Sequence, residues 1–385
     1  MKIFRTLPTR TLVVLAVLAV AAIVGGVAAV SAIGGSGPTP APKPLATAIH
    51  DALAGQKPAG ITADIGFTNT LFPSGSITGQ AGSALMSSAT GRLWVNDTGG
   101  RLELQSDAGD AQIVWSKTKV SVYDATSNTA YTFDLPQDTS TSTDTGTAAV
   151  PTVDQITTFL TELGKNWTVS DANPSNTGGQ ETYTVKISPS HDGGLLGSAE
   201  LAFDAVSGVP LKIAVYAQGA SSPVLALEAT NVSFGAVPNS DVQVAPPAGA
   251  KVVDLSSQAQ GSTTDKSATV TGLDAVTSAA PFAVVAPDSL VGLPRQDVRL
   301  VGGKTAVAIY GQGLGAIVLV ERAKDASAKP GVLDQLPEVT VDGATGHELA
   351  TQLGTVLTWD RGGVSYVLAG SLPPAAAEAA ARSLK

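Results

Sequence analysis

Residues 92–104 read RLWVNDTGGRLEL. From Arg101 onward the run alternates: Arg101 and Glu103 face one way, Leu102 and Leu104 the other. A side-chain period of two belongs to a strand with one wet face and one apolar face. Asp97, Thr98 and Gly99 between the two halves are turn residues, so the stretch reads as a hairpin. The pattern spreads outward. Similar short runs occupy 111–115, 119–123 and 130–135. Tyr183, Val185 and Ile187 alternate with Thr184 and Lys186, and Ala199, Leu201 and Phe203 with Glu200 and Asp204. Further strands are expected at 211–217 and 224–234. This is the signature of an antiparallel sheet, apolar on one side only.

Two helices accompany it. Residues 45–54 (LATAIHDALA) place Leu45, Ile49, Ala52 and Leu53 toward one side, and Gly55 can end the helix. Pro151 opens a second segment with Val153, Ile156, Phe159, Leu160 and Leu163 at helical spacing, closed by Gly164.

The chain has 385 residues, more than one hydrophobic core usually serves. The Ser/Thr-rich stretch after Pro246-Pro247 reads as a linker. The expected organisation is a membrane segment at 1–34, a Pro-rich tether at 35–44, a first domain at 45–255, a linker at 256–270 and a small α+β domain at 271–385. In that last part strands are expected at 282–285, 297–301, 305–310, 315–321, 355–359 and 364–369. Gly362-Gly363 would turn the final hairpin. A short helix is expected at 345–353 and an alanine-rich one at 374–384.

Residues 11–33 carry no charge. About 20 apolar residues are needed to cross a bilayer. Lys2, Arg5 and Arg10 all precede the run, which keeps the N-terminus in the cytoplasm and sends the rest outside. Two alternatives stand: an uncleaved single-pass anchor, or a signal cleaved after Val30-Ser31-Ala32 with the protein secreted. The prolines of residues 34–44 (GGSGPTPAPKP) favour an extended tether with a reach of roughly 30 Å.

Composition excludes several classes. Removing the three positive charges of Lys2, Arg5 and Arg10 from the net charge of −9 leaves −12 for the remainder. A nucleic-acid partner is therefore not expected. There is no cysteine, hence no disulfide, thiol chemistry or lipid-modified cysteine.

The catalytic motifs read as coincidences. Asp97-Thr-Gly99 and Asp144-Thr-Gly146 spell an aspartic-protease triplet, but one lies in a plain hairpin turn and the other in a Ser/Thr loop. Gly311 to Gly315 (GQGLG) precedes a strand-like run where a phosphate site needs a helix N-terminus. His50, His191 and His347 share no metal-ligand spacing, and no nucleophile elbow occurs. No catalytic residue, metal or cofactor is assigned.

The first domain resembles the LolA-like lipoprotein-carrier superfamily. The resemblance rests on the N-terminal helix, Trp115–Asp124 (WSKTKVSVYD), Tyr131–Phe133, Asp204–Lys212 (DAVSGVPLK), and the ending from Phe234 through Val244–Gly249 (VAPPAG). The last unit is similar to the C-terminal domain of MucB/RseB-type periplasmic regulators. There the matching residues are Gly302–Lys304, Ile309–Gly311, Trp359–Gly370 (WDRGGVSYVLAG) and the terminal helix. These resemblances imply a curved antiparallel half-barrel with helices plugging its mouth.

They also imply that acyl chains of a lipid or lipoprotein are held on the concave face. Candidate cavity walls are Leu102, Leu104, Val120, Val122, Leu201 and Phe203. Candidate plug residues are Ile49 and Leu53 on the first helix, and Ile156, Phe159 and Leu160 on the second. The residues alone leave a closed sandwich core equally open. A tethered domain would handle or sense lipids locally, not shuttle them. The alternative reading is a stress-signalling regulator whose C-terminal domain contacts an anti-sigma factor or another membrane-bound partner.

Overall fold

A computed structural model describes residues 37–71, 84–85, 88–135, 150–190, 193–256, 270–325 and 333–384. The apolar run 11–33, the Asp144 triplet and His191 lie outside these residues. Among the described residues no helix is long and apolar enough to cross a membrane.

The chain forms two mostly β units with few helices. Helix α1 (Leu45–Ala54) precedes six strands in hairpin succession: β1 (Gly60–Asn69), β2 (Ala89–Asn96), β3 (Gly99–Ser106), β4 (Gly109–Ser116), β5 (Lys119–Asp124) and β6 (Thr129–Asp134). Helix α2 (Val153–Leu163) follows. Then come β7 (Trp167–Val169), β8 (Asn173–Thr177), β9 (Gln180–Pro189), β10 (Leu196–Asp204), β11 (Pro210–Ala217) and β12 (Leu225–Phe234). The short helix α3 (Asn239–Val242) and β13 (Lys251–Asp254) complete the unit.

The strand order is β13-β6-β5-β4-β3-β2-β1-β12-β11-β10-β9-β7, with β8 also on β9. Among the described residues the end strands β13 and β7 do not pair, so the curved sheet stays unclosed there. One pairing departs from the antiparallel expectation: β13 runs parallel to β6. It returns after a long crossover, the connection a parallel pair requires. Strand β1, not anticipated from alternation, is the central joint between the two halves. Its pairing with β12 is offset at Asp64/Ile65, where Asn231 and Ala229 are successive partners and Thr230 is the extra residue of a bulge. A bulge bends a strand and deepens its twist.

The second sheet uses β14 (Val270–Thr271), β15 (Ser289–Leu290), β16 (Leu293–Val301), β17 (Thr305–Tyr310), β18 (Ile317–Ala323), β19 (Glu338–Val341), β20 (Ala344–Thr351), β21 (Gly354–Arg361) and β22 (Val364–Gly370). Its order is β14-β16-β17-β18-β22-β21-β20-β19, with β15 on β16. Helices α4 (Leu273–Ala279) and α5 (Pro374–Ser383) pack on it through Val276, Ala377, Ala380 and Ala381.

Gly362 and Gly363 turn the last hairpin with φ of +57° and +78°, the left-handed pair a tight two-residue turn demands. The helix expected at 345–353 is instead strand β20. It pairs with β21 from Gly346↔Trp359 to Thr351↔Gly354, and that ladder outweighs the helical propensity of Glu348, Leu349 and Ala350. The strand expected at 282–285 is not one; its Val285 amide bonds a side chain, the Glu321 carboxylate, at 2.9 Å.

Candidate functional site

The registers place one set of apolar residues on a single face of the first sheet. Val120 pairs with Phe133, Val122 with Tyr131, Leu102 with Ile113 and with Leu93, and Leu93 with Ala63. Beyond the central joint, Ile65 pairs with Ala229 and Phe67 with Leu227. Leu201 pairs with Ile213 and Val185, and Phe203 with Tyr183. Antiparallel partners point to the same side, so the face is apolar from β6 to β9.

All six sequence-predicted wall residues lie on this face, in two groups. Leu102, Leu104 and Val120 are buried in one cluster with Ile65, Phe67 and Ile113, and half-buried Val122 packs against it. Phe203 is buried in a second cluster with Tyr183 and Val185, and half-buried Leu201 packs there. Ala84 and Leu85, which the sequence reading did not single out, are buried against the first cluster.

Helix α1 covers only the second cluster, through Leu45, Ala48 and Ala52. Of its expected plug residues, Ile49 is half-buried against that cluster but Leu53 is 41% exposed. The buried face is set by spacings of three and seven, and Leu53 lies about 100° around the helix from its centre. On α2, Ile156 is buried and Leu160 packs on the second cluster, while Phe159 is 37% exposed. Helix α2 rests on α1.

Both ends of α1 are fastened. Before it, the Tyr183 hydroxyl donates to the Ala41 carbonyl at 2.6 Å, and the Asn176 amide to the Pro38 carbonyl at 2.9 Å. Lys43 bridges to Ala172 and forms a 2.6 Å ion pair with Asp51. Residues 38–44, expected as a free tether, therefore lie docked along the β8–β9 edge. The sequence signal for this was weak: Tyr183 is read as core, and nothing local links it to Ala41.

At the other end, the β10–β11 turn holds the helix. Asp204 accepts from the Ser207 amide and hydroxyl, both at 2.6 Å. Gly208, at φ +69°, leaves room where a Cβ would come within 2.6 Å of the Ala52 carbonyl oxygen. A Cβ on Gly55 would meet the Val206 carbonyl oxygen at 1.9 Å. The Lys57 ammonium donates to the Ala52 carbonyl at 2.9 Å and to that of Ser207. Burial pulls this amine below the usual lysine range, and Asp204 partly opposes the shift.

The remaining sequence candidates resolve simply. Asp97-Thr-Gly99 is the β2–β3 turn, tied by the Thr98 amide to the Asn96 side chain at 2.9 Å. His50 and His347 each bond a backbone carbonyl, of Pro151 and Leu336 respectively. Among the described residues no group of three His, Asp or Glu could hold a metal.

The features together define a two-unit protein: an open, curved β-sheet with a helix over one end of its apolar face, followed by a smaller sheet carrying two helices. No family model and no curated protein matches the sequence. Among solved structures it is similar to the MucA/MucB complex of Pseudomonas aeruginosa, at 15% identity over 89% of this chain and 95% of that one, with a TM-score of 0.42. It is also similar to a putative outer membrane lipoprotein-sorting protein domain of Vibrio parahaemolyticus. There the identity is 9% over 52% of this chain and 96% of that one, with a TM-score of 0.22.

Proposed function

We propose that this chain is a membrane-associated, extracytoplasmic binding protein that shelters the acyl chains of a lipid or lipoprotein on the apolar face of its first sheet. The observation that carries the reading is the continuity of that face from Phe133 to Tyr183, its residues gathered in two buried clusters, the second beneath α1. Burying each methylene of an acyl chain yields ~0.8 kcal/mol. Ligand entry would exchange the contacts of Leu45, Ala48 and Ala52 for those of the lipid. The uncharged run 11–33 supports placement at a membrane.

Native mass spectrometry of the full chain released from detergent, followed by organic extraction, tests this. The expected result is a discrete added mass that extracts as lipid and is lost in Leu102→Trp, which fills the face. An apo mass with no uptake of offered lipids or lipopeptides would overturn it.

A second reading is a regulator whose smaller unit engages a membrane-bound partner. The solved MucB is in complex with MucA. In this chain, the Ser371 hydroxyl of the second unit accepts from the Leu195 amide at 2.8 Å, beside the first residue of β10. A shift in the first sheet therefore has a physical route to the second. Co-purification of a membrane protein that depends on residues 270–385 would favour this reading over lipid handling.

A further inference from the structure

The outer face of the first sheet carries a groove that the acyl-chain reading does not use. Six outward side chains on three adjacent strands form two rows. Ser233, Thr62 and Trp94 make one, and Asn231, Asp64 and Arg92 the other. The groove they line has a volume of about 250 Å³. Its position follows from the Thr230 bulge, which adds a residue to β12 beside Asn231 and Asp64 and increases the local bend.

The two rows differ chemically. Trp94 is the aromatic wall. Arg101, its direct partner on β3, lays its guanidinium 4.0 Å from the ring centroid, which fixes the indole and occupies one of its faces. Among the described residues, no hydrogen bond engages the hydroxyls of Thr62 and Ser233 alongside. In the other row Asp64 is held from both sides. It accepts from Arg92 Nε at 3.3 Å and from Asn231 Nδ2 at 3.2 Å. Arg92 is 68% exposed, which leaves its terminal nitrogens toward solvent.

We propose that this groove binds a pyranose ring of a glycan. A sugar ring has an apolar C–H face and a rim of hydroxyls. The first packs on an aromatic plane, and the second needs several donors and acceptors already fixed in place. Trp94 supplies the plane. Asp64, Asn231, Arg92, Thr62 and Ser233 supply the polar groups within a three-strand patch. Other ligand classes fit less well. Arg92 is already paired with Asp64 and Arg101 with Glu103, so the groove offers no net positive charge to a phosphate, and the net charge of −9 opposes a nucleic acid. The rim is too polar for an acyl chain. The site lies on the opposite side of the sheet from the acyl-chain face, so the two proposals stand or fall separately.

The purified full chain would be titrated with maltotetraose, cellotetraose, chitotetraose and mannotetraose by calorimetry and saturation-transfer NMR. Saturable binding of at least one, with a Kd of about 1 mM or tighter, is expected. Trp94→Ala should weaken it at least about tenfold. Ser233→Arg should do the same by filling the groove while leaving the Trp94–Arg101 pair intact, with circular dichroism checking the fold of each variant. The absence of saturable binding for all four sugars overturns the proposal. Binding that both variants retain overturns it too.

Discussion

Gln352, at the tip of the β20–β21 hairpin, donates its side-chain amide to the Thr70 hydroxyl at 2.9 Å, one residue beyond the end of β1. The Gln352 backbone amide adds a bond to the Leu71 carbonyl. With Leu195–Ser371, this makes two polar points of contact between the units among the described residues. A single such bond contributes about 1 kcal/mol. The double variant Gln352→Ala, Ser371→Ala should move the unfolding of the two units apart by a few °C in calorimetry, with far-ultraviolet dichroism unchanged. Unaltered transitions would show that these contacts do not couple the units.

Glu321 offers a pH test of the second unit. It is 1% exposed, pairs across the sheet with Ala306 and Tyr366, and one of its carboxylate oxygens has no partner. Burial raises its pKa from 4.5 to about 7, against the opposing bond from the Val285 amide. The folded state therefore holds a proton that the unfolded state releases. The resulting stabilisation is full below pH 4.5 and is lost as pH rises through 7, a change on the order of 3 kcal/mol. Urea melts should show stability of this unit falling between those values. Glu321→Gln should flatten the slope and be the more stable form at pH 8.

Gly208→Ala tests the fastening of α1. A Cβ there meets the Ala52 carbonyl in a left-handed conformation. Strain of this kind costs roughly 1–3 kcal/mol. Relief by lifting the end of α1 should expose the cluster of Phe203 and Val185, read as increased binding of a hydrophobic dye. A stable variant with no gain in dye binding would argue against α1 as a movable cover.

Tyr183→Phe keeps the buried ring and removes one bond, that to the Ala41 carbonyl. Hydrogen exchange in residues 39–45 should rise several-fold, in keeping with a loss of about 1 kcal/mol. The core strands β9 and β10 should keep their protection.

Much of the first sheet was legible because each strand declares its own face. Leu102 and Leu104, or Leu201 and Phe203, sit two apart and need no partner to be read. What was not legible is what distance in sequence conceals. Residues 60–69 (GITADIGFTN) break alternation with glycines, yet they form the joint β1, because their partners are Leu93 and Val232. Residues 344–351 carry helix formers, and only the β21 ladder makes them a strand. Trp94 is unremarkable in its own hairpin and becomes part of a groove only once Asp64 and Asn231 arrive beside Arg92. Leu53 and Phe159 match a helical pattern, but the burying face of each helix is chosen by the neighbour it meets.

The docking of residues 38–44 also decides where mechanical load enters the molecule. The chain arrives at the β8–β9 edge and leaves from β13, at the opposite end of the sheet order. Tension between the two ends would therefore run across the strands. It would peel the edges, beginning with the four-residue β13 pairing. A pull on the second unit would act as a force on the width of the apolar face.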